Sequence, residues 1–138
     1  MSFEIAIQQS IYARLSTNPT ILTAAVGVFD EVPQADDSGS PRVFPYIVIG
    51  DDQAIAWDTD SELGAEVTAT IHTWSRYSGK KEIKELQGLV YEALHRAEFS
   101  VAGYAVVLCQ FLQSQSFLDS DGKTRHGVQT FRFLIEKL

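Results

Sequence analysis

The chain has 138 residues, 45% of them hydrophobic and 21% charged, a length that suits one domain and a composition that excludes global disorder. Its net charge of −7 opposes a surface that grips nucleic-acid phosphates. No apolar run is long enough for a membrane-spanning helix and the N-terminus lacks a signal peptide's basic and apolar blocks, so the expectation is a protein made and kept in a reducing cytoplasm, where the single Cys109 is a small buried hydrophobe.

The charge is spread unevenly. Residues 1–70 carry 11 acidic side chains and two basic ones, Arg14 and Arg42, whereas residues 71–138 carry 9 basic and 7 acidic. One half is therefore at −9 and the other at +2. A subunit with two unlike faces can join copies of itself head to tail and close a ring.

The elements follow in chain order. Phe3, Ile7, Ile11 and Leu15 recur every fourth position and predict a helix over 3–16, capped by Ser2. Asn18-Pro19 ends it and opens a short second turn through Ala25. Val28 to Val32 reads as a short strand, and 33–42 as a polar loop. Tyr46 to Trp57 and Leu63 to Arg76 both alternate and predict a long hairpin across Asp58–Glu62. Ser78-Gly79 then caps a helix over 80–97, with Ile83, Leu86, Val90, Ala93, Leu94 and Ala97 on its apolar face and the pairs Lys81–Glu85 and Glu92–Arg96 outside. Tyr104 to Leu118 and Thr124 to Leu138 form a second hairpin around Asp119–Gly122. The expected fold is one α+β domain over 1–138, a mainly antiparallel sheet of two long hairpins with two main helices packed on it.

Hairpin arms of this length are about 40–50 Å extended, against roughly 30 Å for a domain of this size. Either a bulge near Gly50-Asp51-Asp52 or Gln113-Ser114-Gln115 folds the strands back, or a tip carrying Ile55 and Trp57 projects and exposes apolar surface.

The motifs of chemistry are missing. Gly122-Lys123-Thr124 ends like a phosphate loop, but Phe117 stands where its first glycine belongs. His72, His95 and His126 lie on different elements, away from Cys109 and without metal-ligand spacing. No nucleophile elbow occurs. The adjacent acids Asp36-Asp37 and Asp51-Asp52 serve solvation rather than acid–base pairing. The expectation is no catalytic residue, no metal, no cofactor and no enzyme.

Several segments, in order, carry a resemblance. They are Phe44-Pro45-Tyr46-Ile47-Val48-Ile49-Gly50, Trp57-Asp58-Thr59, His72-Thr73-Trp74-Ser75-Arg76, Val90-Tyr91-Glu92-Ala93-Leu94-His95 and Asp121-Gly122-Lys123-Thr124-Arg125-His126-Gly127. Together they resemble the tail-terminator or tail-completion proteins of tailed phages, prophages and gene transfer agents. The resemblance implies a structural virion protein, present in the host cytoplasm during assembly. It implies a homo-oligomeric ring, commonly a hexamer, that caps the head-proximal end of the tail tube and stops its polymerisation. The ring offers a joining surface to the head's neck and connector proteins. DNA passes its lumen without specific binding, and no membrane is involved. That family often has a basic residue near Asp60, where this chain is acidic, so no charge contact carries over there.

The expected interface residues are Ile55, Trp57 and Asp58 on the first hairpin, with Arg76, Lys123, Arg125 and His126 as the opposite patch. Trp74 is expected to be a half-buried sheet residue. Two other readings compete: a head-completion or connector adaptor of the neck, and a cytoplasmic ligand-binding or enzymatic domain.

Overall fold

The computed structural model describes residues 2–31, 44–101 and 103–138. The loop expected over 33–42 lies outside them. Helix α1 spans Phe3–Ser16, and the Ser2 hydroxyl accepts the Ile5 amide at 3.1 Å. Its predicted stripe turns inward, with Ile7, Ile11 and Leu15 fully buried. Helix α2, Pro19–Ala24, starts on the Asn18 side chain, which accepts the amides of Thr20 and Ile21. Then come β1 (Val28–Phe29), β2 (Tyr46–Ala56), β3 (Gly64–Ser75), α3 (Lys81–Leu94), β4 (Ser100–Val101), β5 (Tyr104–Leu118) and β6 (Arg125–Lys137).

The six strands form one sheet in the order β1-β2-β3-β6-β5-β4. Both expected hairpins are present, and they are joined by β3 pairing with β6 from Gly64↔Glu136 to Ser75↔Arg125. Every pairing is antiparallel except β1 with β2. The fold is α+β. Strands β3 and β6 are central, and their residues alternate between fully and half buried. Helices α1 and α3 contact this sheet, and the fully buried parity (Val67, Ala69 and Ile71 with Phe131, Phe133 and Ile135) joins their apolar faces in one core. The other face, with Thr68, Thr70, Thr130 and the Arg132–Glu66 ion pair at 2.9 Å, is half exposed.

Three local expectations differ. Helix α3 begins at Lys81, one residue later than expected, and its N-cap is Lys80 with no side-chain cap rather than Ser78-Gly79; the Ser75 hydroxyl donates to Glu82 in its first turn. It ends at Leu94, and Arg96 sits past the end with φ 56°, so it is not on the helix face with Glu92. The Lys81–Glu85 pair does form, at 3.9 Å. Finally, the register slips between Ile49 and Asp52, as the first bulge expectation has it, but in β5 the slips fall between Val106 and Leu108 and between Phe111 and Gln113.

Candidate interaction surfaces

The two groups of expected interface residues lie at opposite ends of the long central strands. Gly64 and Ser75 mark those ends, eleven residues apart, or about 36 Å.

At the first end the β2–β3 tip holds its shape through its own hydrogen bonds. The Gly64 amide donates to Asp58 Oδ1 at 3.0 Å, and the Glu62 amide to Thr59 Oγ1 at 3.1 Å. Trp57 rests on Gly64: a Cβ there would stand 2.8 Å from the Trp57 carbonyl and 3.2 Å from its ring. The tip is still exposed, Ile55 by 53%, Trp57 by 37% and Leu63 by 54%. A bulge and a projecting apolar tip therefore coexist. Asp58, Asp60 and Glu62 surround the apolar side chains with negative charge.

At the second end the β5–β6 turn is built by Asp121. Its Oδ1 accepts the amides of Lys123 and Thr124, and its Oδ2 accepts the Thr124 hydroxyl at 2.6 Å. These bonds favour the carboxylate and bring its pKa down to about 2. Gly122 supplies the positive φ the turn needs, 71°. Arg76 donates to Thr124 Oγ1 at 3.1 Å and lies over the Phe44 ring, 4.6 Å from its centroid. Arg76 thus rests against the turn that carries Lys123. Arg125 and His126 are split by the strand's alternation. Arg125 pairs with Ser75, on the helix side, and its Nε is buried without a partner. His126 is on the other side, stacked on Trp74 at 3.7 Å with an 8° interplanar angle.

The sheet also brings together residues that sequence spacing kept apart. His72 Nδ1 lies 2.7 Å from His126 Nε2, so one ring donates to the other. The signal was present as parity, since both residues face away from the helices, but their contact needs the β3–β6 register. Burial holds both imidazoles below their ordinary pKa, and for His126 the neighbouring His72 charge adds to this; Asp51 and Asp119 act in the opposite sense. The neutral forms are favoured in the fold. Their contribution is complete above the unfolded pKa near 6.5 and is lost as pH falls from there through the lowered folded values. Thermal melts should therefore show Tm falling as pH drops below about 6.5. His126→Gln keeps a polar partner but removes one titrating ring, so its pH profile should be shallower; a profile parallel to the parent's would refute the assignment.

Among the described residues, no group of three or more His, Cys, Asp or Glu side chains converges for a metal, and no helix is long and apolar enough to cross a membrane. Cys109 is buried, which pushes its thiol up to about 12. His95 caps α3 and accepts the Phe111 amide at 3.1 Å.

Comparisons with known proteins give the family and the fold. The profile of the family described as tail completion protein gp17 matches residues 9–136. The chain belongs to this family. It is 28% identical over 130 residues to the tail completion protein gp17 of Bacillus phage SPP1, covering 94% of this chain and 92% of that one. Its fold is similar to a chain in the virion of a native gene transfer agent particle, with a TM-score of 0.86 at 22% identity, covering 98% of this chain and 99% of that one. A tail-completion protein of this family is a structural protein of a phage tail, and its place is the virion.

Proposed function

We propose that the chain acts as one domain in a homo-oligomeric ring, a hexamer, that caps the head-proximal end of a tail tube. The ring halts polymerisation and offers a joining surface to the neck. The role is structural, with no catalytic step and no cofactor, and DNA passes through the lumen without specific binding.

The observation that carries this reading is the state of the sheet's margins. Among the described residues, β1 covers β2 only at Ile47 and Val48, and β4 covers β5 only at Tyr104 and Ala105. Each subunit therefore offers one open edge on either side, and unlike edges on two sides are what a head-to-tail ring uses. The two ends of the strands then face along the ring axis. The tip with Ile55, Trp57 and Asp58 is acidic and apolar, and the end with Arg76, Lys123, Arg125 and His126 is richer in cations. Two chemically different ends suit two different axial partners, the tube and the neck. A net charge of −7 keeps DNA from adhering.

Electron microscopy of the purified chain mixed with assembled tail tubes tests the reading. Rings seated at one tube end, with elongation stopped, are the expected result; a monomer that leaves tubes growing would overturn it. Trp57→Ala removes the largest exposed side chain of the tip and should weaken capping at least tenfold, the size of a hot-spot loss. Arg125→Glu should weaken contacts at the opposite end. Unchanged capping by both would remove these residues from the interface.

A further inference from the structure

We propose that neighbouring copies join by antiparallel pairing of Asp52–Ala56 in one copy with Gln113–Leu118 in the next, staggered along the strands by four to six residues. The proposal rests on the ring reading and specifies its lateral contact.

Strand β5 runs 15 residues, YAVVLCQFLQSQSFL, without one charged side chain. Open edges are ordinarily guarded by charge or proline. Here the guards are missing, while Leu112, Phe117 and Leu118 are 44–48% exposed. The slip after Phe111 leaves Gln113–Leu118 as the regular open stretch. On the opposite margin, the slip after Ile49 leaves Asp52–Ala56 regular and, among the described residues, open.

These stretches do not lie at the same height. Following the ladders, Ile55 is level with Glu66, Leu134 and Leu108. Gln115 is level with Val128 and His72. β1 occupies the margin of β2 beside Ile47 and Val48, toward the Arg76 end, and β4 occupies the margin of β5 toward the tip end. A flush neighbour, with Ile55 beside Leu108, would place β1 where the neighbour's β5 must lie and drive the hairpin tip into β4. Sliding the neighbour along the strands carries β1 past the end of its β5, and β4 past the tip. The two short strands act as stops on a lap joint.

Side-chain parity fixes the size of the slide. Gln53 and Ile55 face away from the helices, as do Gln113, Gln115 and Phe117, since their ladder partners do. Opposed residues share a face, so Ile55 stands opposite Gln113 or Gln115. Gln113 is level with Thr70 and Gln115 with His72, four and six residues from Glu66. These slides are about 13 and 20 Å, against about 19 Å across the four strands a subunit contributes. The strands would then lean about 35° or 46° from the ring axis, which brackets the tilt of sheets that close into barrels. Strands β2, β3, β6 and β5 also alternate in direction. With every copy pointing the same way, β5 therefore meets the next β2 antiparallel. With Ile55 opposite Gln115, Asp52 stands opposite the neighbour's Leu118. Asp51 then comes level with the neighbour's Asp119, in a turn where Asp119 and Asp121 offset Lys123, so this joint rests on backbone pairing and apolar burial rather than on charge.

Paired cysteines read the register. Two double variants, Ile55→Cys with Gln115→Cys and Ile55→Cys with Gln113→Cys, test the staggered registers. Ile55→Cys with Leu108→Cys tests the flush one. Oxidation of the concentrated chain, alone and with tail tubes, should give a ladder of covalent multimers from one staggered variant and monomer from the flush variant. Cys109 is buried and serves as a silent background. A ladder from the flush variant alone, with rings still seen by electron microscopy, would overturn the stagger and leave the ring standing. No multimers and no rings would overturn both. Ile55→Lys with Gln115→Lys sets like charges across the joint, at exposed positions that leave the fold intact by circular dichroism. Association by sedimentation should weaken at least tenfold; parent-like assembly would overturn the proposal.

Discussion

Truncating Phe133 to alanine should cost about 3–5 kcal/mol of folding stability. Phe133 is fully buried on β6, between Val67 of β3 and Cys109 of β5. Phe99 meets it edge to face with centroids 5.7 Å apart. The lost ring leaves a cavity at the middle of the sheet, and its lining cannot collapse because the ladders on both sides hold the strands apart. For a chain of this length the loss corresponds to roughly 10–20 °C in Tm. Urea unfolding should show a lower midpoint with unchanged slope. Phe117→Ala, on the same sheet but 44% exposed, should stay within about 1 kcal/mol. Equal losses at the two positions would contradict the placement of the core.

The same contrast shows what a sequence of this kind discloses. Phe131, Phe133 and Ile135 share a parity that is legible without a structure, because side chains alternate along any strand. The stripe Ile7, Ile11, Leu15 is legible for the matching reason in a helix. Both signals are local. The pairing of β3 with β6 is not, since it joins residues fifty or more positions apart and no turn chemistry fixes it. What depends on that pairing stayed hidden: the His72–His126 contact, the stacking of His126 on Trp74, and the separation of Arg125 from His126 onto opposite faces. The slips in β5 were hidden too, because the strand carries no glycine to mark them. The expected interface residues form two patches of unlike charge. Their positions at opposite ends of one strand follow from strand length, which was legible, together with the register, which was not. The edge of β5 is marked by an absence, fifteen residues without a charge, and that absence becomes a surface only once β5 is placed near the sheet's margin.

Arg14→Ala should cost about 1.5–2 kcal/mol, the lower part of the range for hydrogen bonds to a charged group, because the side chain is partly exposed. From α1, its Nε donates to the Ala93 carbonyl at 2.8 Å and Nη1 to the Glu98 carbonyl at 3.4 Å. Its guanidinium lies 5.7 Å from the centroid of the Phe99 ring. Ala93 is in the last turn of α3, where unpaired carbonyls concentrate negative potential that a cation relieves. Arg14 thus fastens the first helix to the end of the third. Arg14→Lys retains the charge but not the planar fork, so it should recover only part of the loss, and a full recovery would show that charge alone matters. The consequence reaches the surface as well. Arg14 is the one basic side chain among the described residues up to 70, and it is committed to carbonyls within the fold. Among the described residues, Glu4, Asp30, Glu31, Asp51 and Asp52 near the β2 margin therefore have no cation of their own half to offset them. Burial, Glu4 and Asp51 together hold the Asp52 carboxyl above its ordinary pKa. In the staggered register Asp52 stands opposite the neighbour's Leu118, one residue from Asp119, so docking adds burial and a like charge. Titration of Asp52 by NMR in the free chain and in the assembled ring should therefore show a further upward shift on assembly, and no change would mean that the acidic margin faces solvent in the ring.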